Sequence, residues 1–427
     1  MQEKICSVTK EKYTVIKHKT GVNIVISYRP DYSTSYTLFA AKYGSMNTVC
    51  YSDDNKEIKI PDGTAHFLEH KLFENENEDA FTLYAQTGAD ANAYTTFDKT
   101  AYLFSCSDGF ERSLEILLDF VQSPYFTEDS IAKEQGIIGQ EIKMYEDNPG
   151  ARVFRELMTD LFINNTVAID TAGTVESIAE ITPQLLFDCY NTFYNPKNMV
   201  LVVCGPQKSS DVLEICDKLL KERPTRSVPL QIANEPPKAN KPYSEINLAV
   251  DMPLFALGFK DASGAQGIDA VKQAAQTEIL LELLIGKSSD LYEKLYASGD
   301  INAKFEYEYM YGNGYGATIL SGISQNPGKV RDSFTDAADN LKNNGISNED
   351  FLRAKNLIFG KNLRSLNDPD FFANLLLDLA ILNVDLEEYM KTYNEITLEE
   401  CKERLSSHFN VNAMALSVVN PYKREEK

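Results

Sequence analysis

The 427-residue chain has no tryptophan, only four histidines and no two cysteines in C-x-x-C spacing. Its seven cysteines are scattered, at positions 6, 50, 106, 189, 204, 216 and 401. Closely spaced cysteines hold structural zinc ions and build the disulphide frameworks of small secreted domains, so we expect neither feature. We interpret these cysteines as reduced, mostly buried thiols of a cytoplasmic protein.

Long apolar runs are also missing. No stretch approaches the roughly 20 apolar residues that a membrane-spanning helix needs, and no apolar run follows the first residues as it would in a signal peptide. We therefore expect no membrane span and no signal peptide.

Basic residues are outnumbered in this chain. The 42 Lys and Arg residues stand against 63 Asp and Glu residues, which gives a net charge of -21 at pH 7. A surface of that sign repels nucleic acid and anionic membranes, and we expect neither as a partner. It could attract basic peptide segments, although solubility alone is the simpler explanation.

Two of the four histidines lie in one short segment that is predicted to be helical, with Asp62 or Thr64 as its cap. Four residues make about one helical turn, so His66 and His70 leave the same face, and Glu69 shares that face. Two imidazoles can hold a zinc ion, and a neighbouring carboxylate can take a proton from the water that the ion activates. The pattern H-x-x-E-H is the inverse of the H-E-x-x-H zinc motif. The alternative is an ordinary amphipathic helix with two chance histidines.

The other two histidines show no such pattern. His18 lies between lysines at a predicted hairpin turn, where we expect a solvated side chain. His408 has no acidic or histidine neighbour at ligand spacing, so we expect a structural or surface role for it.

Two glutamates further along the chain are candidates to complete the site. Glu134 and Glu141 lie seven residues apart in a long predicted helix, from about residue 127 to 147, and therefore on one face of it. A catalytic zinc ion with two histidine ligands still needs a third ligand and usually has an acidic neighbour. The alternative is that both are ordinary solvated glutamates with no part in a metal site.

A proline-rich stretch divides the chain into two parts. This stretch is residues 222–242, and we place a domain boundary near residue 235, between domains 1–234 and 235–427. The second part repeats the order of strands and helices of the first, and the helix opening at Ile346 matches the one at Phe126. In that alignment Ala354 falls opposite Glu134 and Lys361 opposite Glu141. Chance similarity between two amphipathic helices is the alternative.

This repetition indicates the fold class. Runs of strands followed by long helices favour an α+β fold, with mostly antiparallel sheets and helices packed on one face of each. We predict two tandem homologous halves, the first catalytic and the second not.

The motif residues resemble those of the pitrilysin (insulysin-like) zinc metallopeptidase family. His66 to His70 match its H-x-x-E-H motif, and Glu134 with Glu141 match its downstream pair of glutamates. The resemblance covers essentially the whole chain. It is strongest to short bacterial members that are similar to mitochondrial processing peptidase, some of which are named for modification of elongation factor P and some for peptide maturation.

The resemblance implies a role for each of these residues. His66, His70 and Glu141 would bind Zn²⁺, Glu69 would be the catalytic base, and Glu134 would be a catalytic carboxylate that supports the ligands. The segment around Asn92, Ala93 and Tyr94 resembles the family's substrate-binding edge strand. The implied function is zinc-dependent endopeptidase cleavage of peptides held in extended conformation, for peptide processing or maturation.

One family feature is missing from this chain. Family members usually carry an Arg and a Tyr, seven residues apart in the non-catalytic half, which stabilise the tetrahedral intermediate. Here Tyr296 and Ala303 occupy the corresponding positions. The resemblance therefore implies a heterodimer with a related, metal-free subunit that supplies the Arg–Tyr pair, with a weakly active homodimer as the alternative.

Two other functions are compatible with the same sequence. The chain could be a catalytically silent binding or assembly subunit of a peptidase-like or modification complex. It could also be a zinc-dependent peptide chaperone or scaffold. Loss of motif residues would favour the first of them, and the metal-binding motif here is intact.

Overall fold

The protein is described by a computed structural model that covers residues 2–52, 54–76, 79–224, 228, 231–262 and 264–422. Its strands are β1 (Gln2–Ile5), β2 (Lys12–Lys17), β3 (Asn23–Tyr28), β4 (Ser35–Ala41), β5 (Val49–Tyr51), β6 (Glu57–Lys59), β7 (Asp90–Thr95), β8 (Thr100–Cys106), β9 (Met199–Gly205), β10 (Tyr243–Leu248), β11 (Leu254–Lys260), β12 (Glu306–Gly312), β13 (Tyr315–Ile323) and β14 (Met414–Pro421).

The helices complete the element order. They are α1 (Thr64–Phe73), α2 (Ala80–Ala85), α3 (Phe110–Val121), α4 (Glu128–Glu146), α5 (Pro149–Leu161), α6 (Val175–Ile178), α7 (Pro183–Phe193), α8 (Ser209–Leu219), α9 (Gly267–Ile285), α10 (Asp290–Ala297), α11 (Pro327–Asn344), α12 (Asn348–Ser365), α13 (Pro369–Leu382), α14 (Leu386–Glu395) and α15 (Leu398–His408). Within the described ranges, no helix is both long enough and apolar enough to span a membrane.

The first sheet has seven strands in the order β1-β2-β3-β9-β4-β8-β7. Strands β3 and β9 run parallel, and the other neighbouring pairs are antiparallel. The central strands β4 and β9 are buried along their whole length, as their apolar sequences require. Strand β7 ends the sheet on one side, so the sheet does not use the outward-facing backbone groups of that strand.

The second large sheet has five strands in the order β10-β14-β11-β13-β12. Its pairing repeats that of β3-β9-β4-β8-β7, because one parallel pair is followed by three antiparallel pairs. The predicted α+β class with two homologous halves is therefore confirmed. A separate pair of short strands, β5 and β6, precedes α1.

Helices α1, α3, α4, α7 and α8 share a hydrophobic core with one face of the first sheet. Phe39 of β4 belongs to this core, whereas the adjacent Leu38 is fully buried outside it. Successive strand residues point to opposite faces, so the second face is covered as well. Helix α13 packs against β4 and β9, and we infer that it provides this cover.

The chain forms two compact units, and both are discontinuous in sequence. Unit 1 comprises Met1–Ile142, Asp170–Gln231 and Leu363–Glu387, and unit 2 comprises Lys143–Ile169, Ile232–Asn362 and Glu388–Lys427. Unit 1 therefore includes α13 from far along the chain, and unit 2 includes α5, which packs against β11 and β14. The division into domains 1–234 and 235–427 concerns the homologous halves and stays a prediction.

Candidate metal centre

Helix α1, which carries two histidines, begins differently from the sequence prediction. It follows Gly63, which has φ +88°, and no side chain caps it. A Cβ at Gly63 would lie 2.4 Å from the carbonyl oxygen of Ala172, so only glycine fits this close approach. The predicted cap at Asp62 or Thr64 is therefore wrong, and the Thr64 hydroxyl donates instead to the carbonyl oxygen of Pro61 at 2.7 Å.

The apolar side of α1 determines where its polar side lies. Phe67, Leu68 and Leu72 are fully buried in the core, and each contributes roughly 1.5–3 kcal/mol through burial. Residues three or four apart share a helix face, so the two histidines and Glu69 are held together beside that core.

Helix α4 presents its two glutamates to these histidines. Ile131, Ile138 and Ile142 attach the helix to the core. The seven-residue spacing then puts Glu134 and Glu141 in line along the helix. Glu134 is 8% exposed, a low value for a carboxylate and one that calls for a polar partner.

The side chains of the two helices meet at short distances. His66 Nε2 lies 3.8 Å from Glu141 Oε1, and His70 Nε2 lies 3.6 Å from Glu141 Oε2. The other ring nitrogen of His70, Nδ1, lies 3.1 Å from Glu134 Oε1. The structure thus brings together four residues from segments more than 60 positions apart.

Three of these side chains fit a metal ion. His66, His70 and Glu141 each offer one ligand atom, and those atoms lie within 4.8 Å of one another. Ligand atoms about 2.1 Å from a tetrahedral ion lie about 3.4 Å apart, close to the distances seen here. Two imidazoles and one carboxylate form the donor set of catalytic zinc sites, which keep a fourth position open. In the part of the chain that is described, no other group of His, Cys, Asp and Glu meets the same spacing.

The electrostatics of the centre keep one imidazole ready to bind a metal. Burial, with a contribution from the neighbouring His70, lowers the pKa of His66 to about 4, so the ring is neutral at pH 7. Burial also opposes charge on His70, but the Glu134 hydrogen bond and the nearby carboxylates outweigh it and raise its pKa. A carboxylate on the far nitrogen of a ligating histidine fixes the tautomer and the orientation of the ring.

Glu69 has a partner that sequence reasoning missed. Its Oε2 accepts a hydrogen bond of 2.5 Å from the hydroxyl of Thr95, the last residue of β7. Burial raises the pKa of the Glu69 carboxyl, and this hydrogen bond opposes the shift. The two residues are 26 positions apart, one on a helix and one on a strand, so no local sequence pattern predicts the contact.

The predicted substrate-binding residues lie on the sheet edge beside α1. Strand β7 contacts α1 and is the terminal strand of its sheet. Asn92 is exposed, and its Oδ1 accepts a hydrogen bond of 2.8 Å from the amide of Ala93. The Tyr94 hydroxyl donates to Asn374 Oδ1 on α13 at 2.6 Å, so the phenol contributes to packing within unit 1.

Unit 2 lacks the metal-binding side chains at the matching positions. Lys361, which aligns with Glu141, pairs with Glu282 of α9 at 3.0 Å. Glu282 also accepts a hydrogen bond of 3.1 Å from the Tyr307 hydroxyl. Tyr296, at the position where the resemblance implies an Arg, is 51% exposed and stacks on Tyr292.

The remaining histidines are both buried. His18 is 5% exposed, lies 2.8 Å from the Thr20 hydroxyl and 3.2 Å from Asp217, so its predicted solvation is wrong. The hairpin turn folds back onto α8, which sequence periodicity does not reveal. His408 is structural, as predicted, because its ring lies between Asp261 at 2.9 Å and Thr318 at 2.8 Å.

Comparisons with protein families match most of the chain. Residues 51–175 match the family described as insulinase (peptidase family M16), and residues 180–358 match the peptidase M16 inactive domain. The first match contains the entire His–His–Glu group. The second begins before residue 235 and ends within α12.

Individual relatives extend the similarity to the full length. The uncharacterized zinc protease YmfH of Bacillus subtilis is 35% identical over 413 residues, covering 95% of this chain and 96% of the relative. A probable mitochondrial-processing peptidase subunit beta of Arabidopsis thaliana is 30% identical over 52% of this chain and 44% of its own length. The crystal structure of an M16-like peptidase from Alicyclobacillus acidocaldarius has a TM-score of 0.91 and 32% identity, covering 96% of this chain and 98% of that one.

Proposed function

Because the chain belongs to the insulinase family of peptidases (peptidase family M16), we propose that it is a zinc-dependent endopeptidase that cleaves peptides bound in extended conformation. The convergence of His66, His70 and Glu141, with Glu69 beside them, carries this proposal. The name zinc protease given to its full-length relative supports the choice of metal.

The two histidines and Glu141 would hold the ion, and Glu134 would orient the His70 ring. Bound there, Zn²⁺ would supply Lewis acidity, which lowers the pKa of water to about 7 and polarises a peptide carbonyl. Glu69 would accept a proton from a water molecule while the oxygen of that water attacks the carbonyl carbon. It would then give that proton to the peptide nitrogen as the C–N bond breaks.

The edge strand β7 would hold the substrate. The outward backbone groups of β7 can form hydrogen bonds with an extended peptide, which then adds a strand to the sheet. This kind of binding depends on the length and shape of the peptide more than on its sequence. Asn92 is exposed there, and Ala93 has too small a side chain to obstruct a neighbouring strand. The net charge of -21 would favour basic peptide segments.

A related subunit would complete the site. Without an Arg–Tyr pair at Tyr296 and Ala303, this chain lacks those two donors for the developing oxyanion, each worth about 3 kcal/mol in other hydrolases. We expect a heterodimer with a metal-free relative that supplies them, with a weakly active homodimer as the alternative. The similarity to a protein named as a subunit of mitochondrial processing peptidase favours such an assembly.

Replacement of the base tests the proposed chemistry. Glu69→Gln keeps the size of the side chain but cannot take a proton, so we expect bound zinc near one equivalent and peptide cleavage reduced by about 10²–10⁴-fold. Glu76→Gln, a few residues further along, is the matched control and should cleave normally. Unchanged turnover in purified Glu69→Gln would refute the role of Glu69.

The same assay separates the rival functions. The native complex is isolated, its mass is measured, and quenched peptides are tested with this chain alone and with its partner. One zinc per chain without cleavage in either state would favour the rival functions, a binding or assembly subunit or a zinc-dependent chaperone or scaffold. Full activity of an isolated monomer or homodimer would rule out the heterodimer.

A further inference from the structure

The hydroxyl of Thr95 lies at a junction between the candidate base and the edge strand. It donates to Glu69 Oε2 at 2.5 Å, and its oxygen lies 3.3 Å from the hydroxyl oxygen of Thr100 on β8. The Thr100 hydroxyl, fully buried, donates in turn to the backbone carbonyl of Tyr43 at 2.8 Å. A short line of hydroxyls thus runs from the sheet interior to Glu69.

The number of available protons fixes the direction of these hydrogen bonds. Each threonine hydroxyl has one proton to donate. The Thr100 proton goes to the Tyr43 carbonyl oxygen, which can only accept. The Thr95 proton is therefore directed to Glu69 Oε2, which at 2.5 Å is a nearer acceptor than the Thr100 oxygen at 3.3 Å.

The hydrogen bond uses one oxygen of the Glu69 carboxylate and leaves the other available. Among the described residues, Oε2 receives the Thr95 hydroxyl and Oε1 receives no hydrogen bond from protein. A glutamate side chain rotates about three bonds, and a single strong hydrogen bond on one oxygen removes much of that freedom. The carboxylate is then held with Oε1 as the oxygen that can accept a proton.

We propose that Thr95 is a positioning residue, which fixes the Glu69 carboxylate relative to a peptide paired with β7. This inference rests on the proposed peptidase function. Because Thr95 ends the strand that would bind substrate, one residue couples the position of the base to the position of the scissile bond. Reacting groups displaced by about 1 Å lose on the order of 10²-fold in rate.

Two substitutions separate the hydroxyl from the rest of the side chain. Thr95→Val keeps the shape and loses the donor, whereas Thr95→Ser keeps the donor and loses a methyl group. We expect Thr95→Val to lower kcat by about 10–100-fold, with KM within about twofold and zinc content unchanged. Thr95→Ser should restore kcat to within about threefold of the wild type. A purely structural role would give the opposite ranking, because serine would create the larger void.

A matched control and a double variant sharpen the test. Thr37→Val removes another fully buried threonine hydroxyl, one with no partner among the described residues, and should leave kcat unchanged. Combined with Glu69→Gln, Thr95→Val should cause no further loss, because it acts through Glu69. Additive losses, or wild-type kcat in Thr95→Val, would overturn the inference.

The orientation of the carboxylate gives a readout that does not depend on activity. Crystal structures of the wild type and Thr95→Val should show Glu69 in one rotamer in the first and in several in the second. If the wild type fails to cleave peptides, the proposed function fails while this comparison still decides the positioning role. An identical, single Glu69 rotamer in both structures would refute that role.

Discussion

His70 uses both of its ring nitrogens, and each faces a glutamate of α4. Nε2 faces Glu141 at 3.6 Å, and Nδ1 faces Glu134 at 3.1 Å. Glu134 would therefore act on the metal through the ring, since its hydrogen bond makes Nε2 the nitrogen with a free lone pair. The spacing of seven residues on one helix is what lets the two carboxylates serve the same imidazole.

Glu134→Ala should weaken zinc binding by about 10–100-fold. The substitution leaves all three ligands in place but frees the His70 ring to rotate and change tautomer. Competition with a chromophoric zinc chelator measures the affinity. Glu146→Ala, an exposed position on the last turn of the same helix, is the control and should bind zinc normally. Equal affinity in both variants would contradict the role of Glu134.

The sequence identified the candidate residues of the centre, but it did not identify the residues that contact them. His66, His70, Glu134 and Glu141 are found by helical spacing, because i, i+4 and i, i+7 positions face one way in any α-helix. The roles of these residues stay proposals. Thr95 was beyond reach, since its partner lies on another element, and tertiary hydrogen bonds leave no periodic signal.

At the scale of elements, the hairpin of β7 and β8 is attached to α13. The Tyr94 hydroxyl donates to Asn374, and the Lys99 ammonium pairs with Asp378 at 2.7 Å. Both contacts lie within unit 1. They attach the edge strand to a helix some 270 residues later in the chain, and so fix a strand that has a neighbouring strand on one side only.

Tyr94→Phe should lower the free energy of unfolding by about 1 kcal/mol, the usual cost of one lost hydrogen bond. The peptide is expected to pair with the backbone of β7, so KM should change by less than about twofold. Urea denaturation and steady-state kinetics measure the two quantities. Tyr28→Phe on the exposed end of β3 is the control for stability. A large rise in KM would instead indicate that the phenol itself contacts substrate.

The elements were predicted unevenly. The apolar periodicity of residues 110–121 predicts a helix and the composition of residues 315–323 predicts a strand, and both match the structure as α3 and β13. Pro149 and Gly150 predict an end to the preceding helix, and in the structure they also begin α5, with Asn148 as its cap. Helices α13 to α15 were not predicted. The sequence of α13 is apolar on most sides, so it lacks the polar face that identifies a surface helix.

At the scale of the whole molecule, unit 2 contains a buried polar network, and its described residues include no group that could hold a metal ion. Asp261 accepts hydrogen bonds from Arg404 at 2.6 and 2.9 Å and from the Tyr309 hydroxyl at 2.6 Å, and it contacts His408. Burial alone would raise the pKa of Asp261, but His408 and Arg404 hold it well below its ordinary value. Each member of the network is satisfied by the others, which is what permits charges at this depth.

His408 makes stability depend on pH. Burial, helped by Arg404, lowers its pKa from 6.5 despite the attraction of Asp261. His408 therefore takes up a proton near pH 6.5 in the unfolded chain but only at a lower pH in the folded protein. The free energy of unfolding consequently decreases as the pH falls below 6.5. The slope from this residue is at most about 1.4 kcal/mol per pH unit.

His408→Gln should flatten this dependence. The free energy of unfolding is measured between pH 7.5 and 5 for both proteins, with a chelator present so that release of metal contributes to neither. The variant is expected to be less stable at pH 7 and to lose less on acidification. Parallel curves for the two proteins would contradict the assignment.

The discontinuity of unit 1 has a consequence during synthesis. A ribosome releases the strands of the first sheet long before the segment Leu363–Glu387 that belongs with them. At 5–20 residues per second, the roughly 160 residues between the end of β9 and α13 take roughly 8–33 s. During that interval the nascent chain exposes the apolar face around Leu38 and leaves the hairpin that bears Thr95 without its anchor. The candidate metal centre would therefore gain the complete surroundings of unit 1 only after residue 387 has been synthesised.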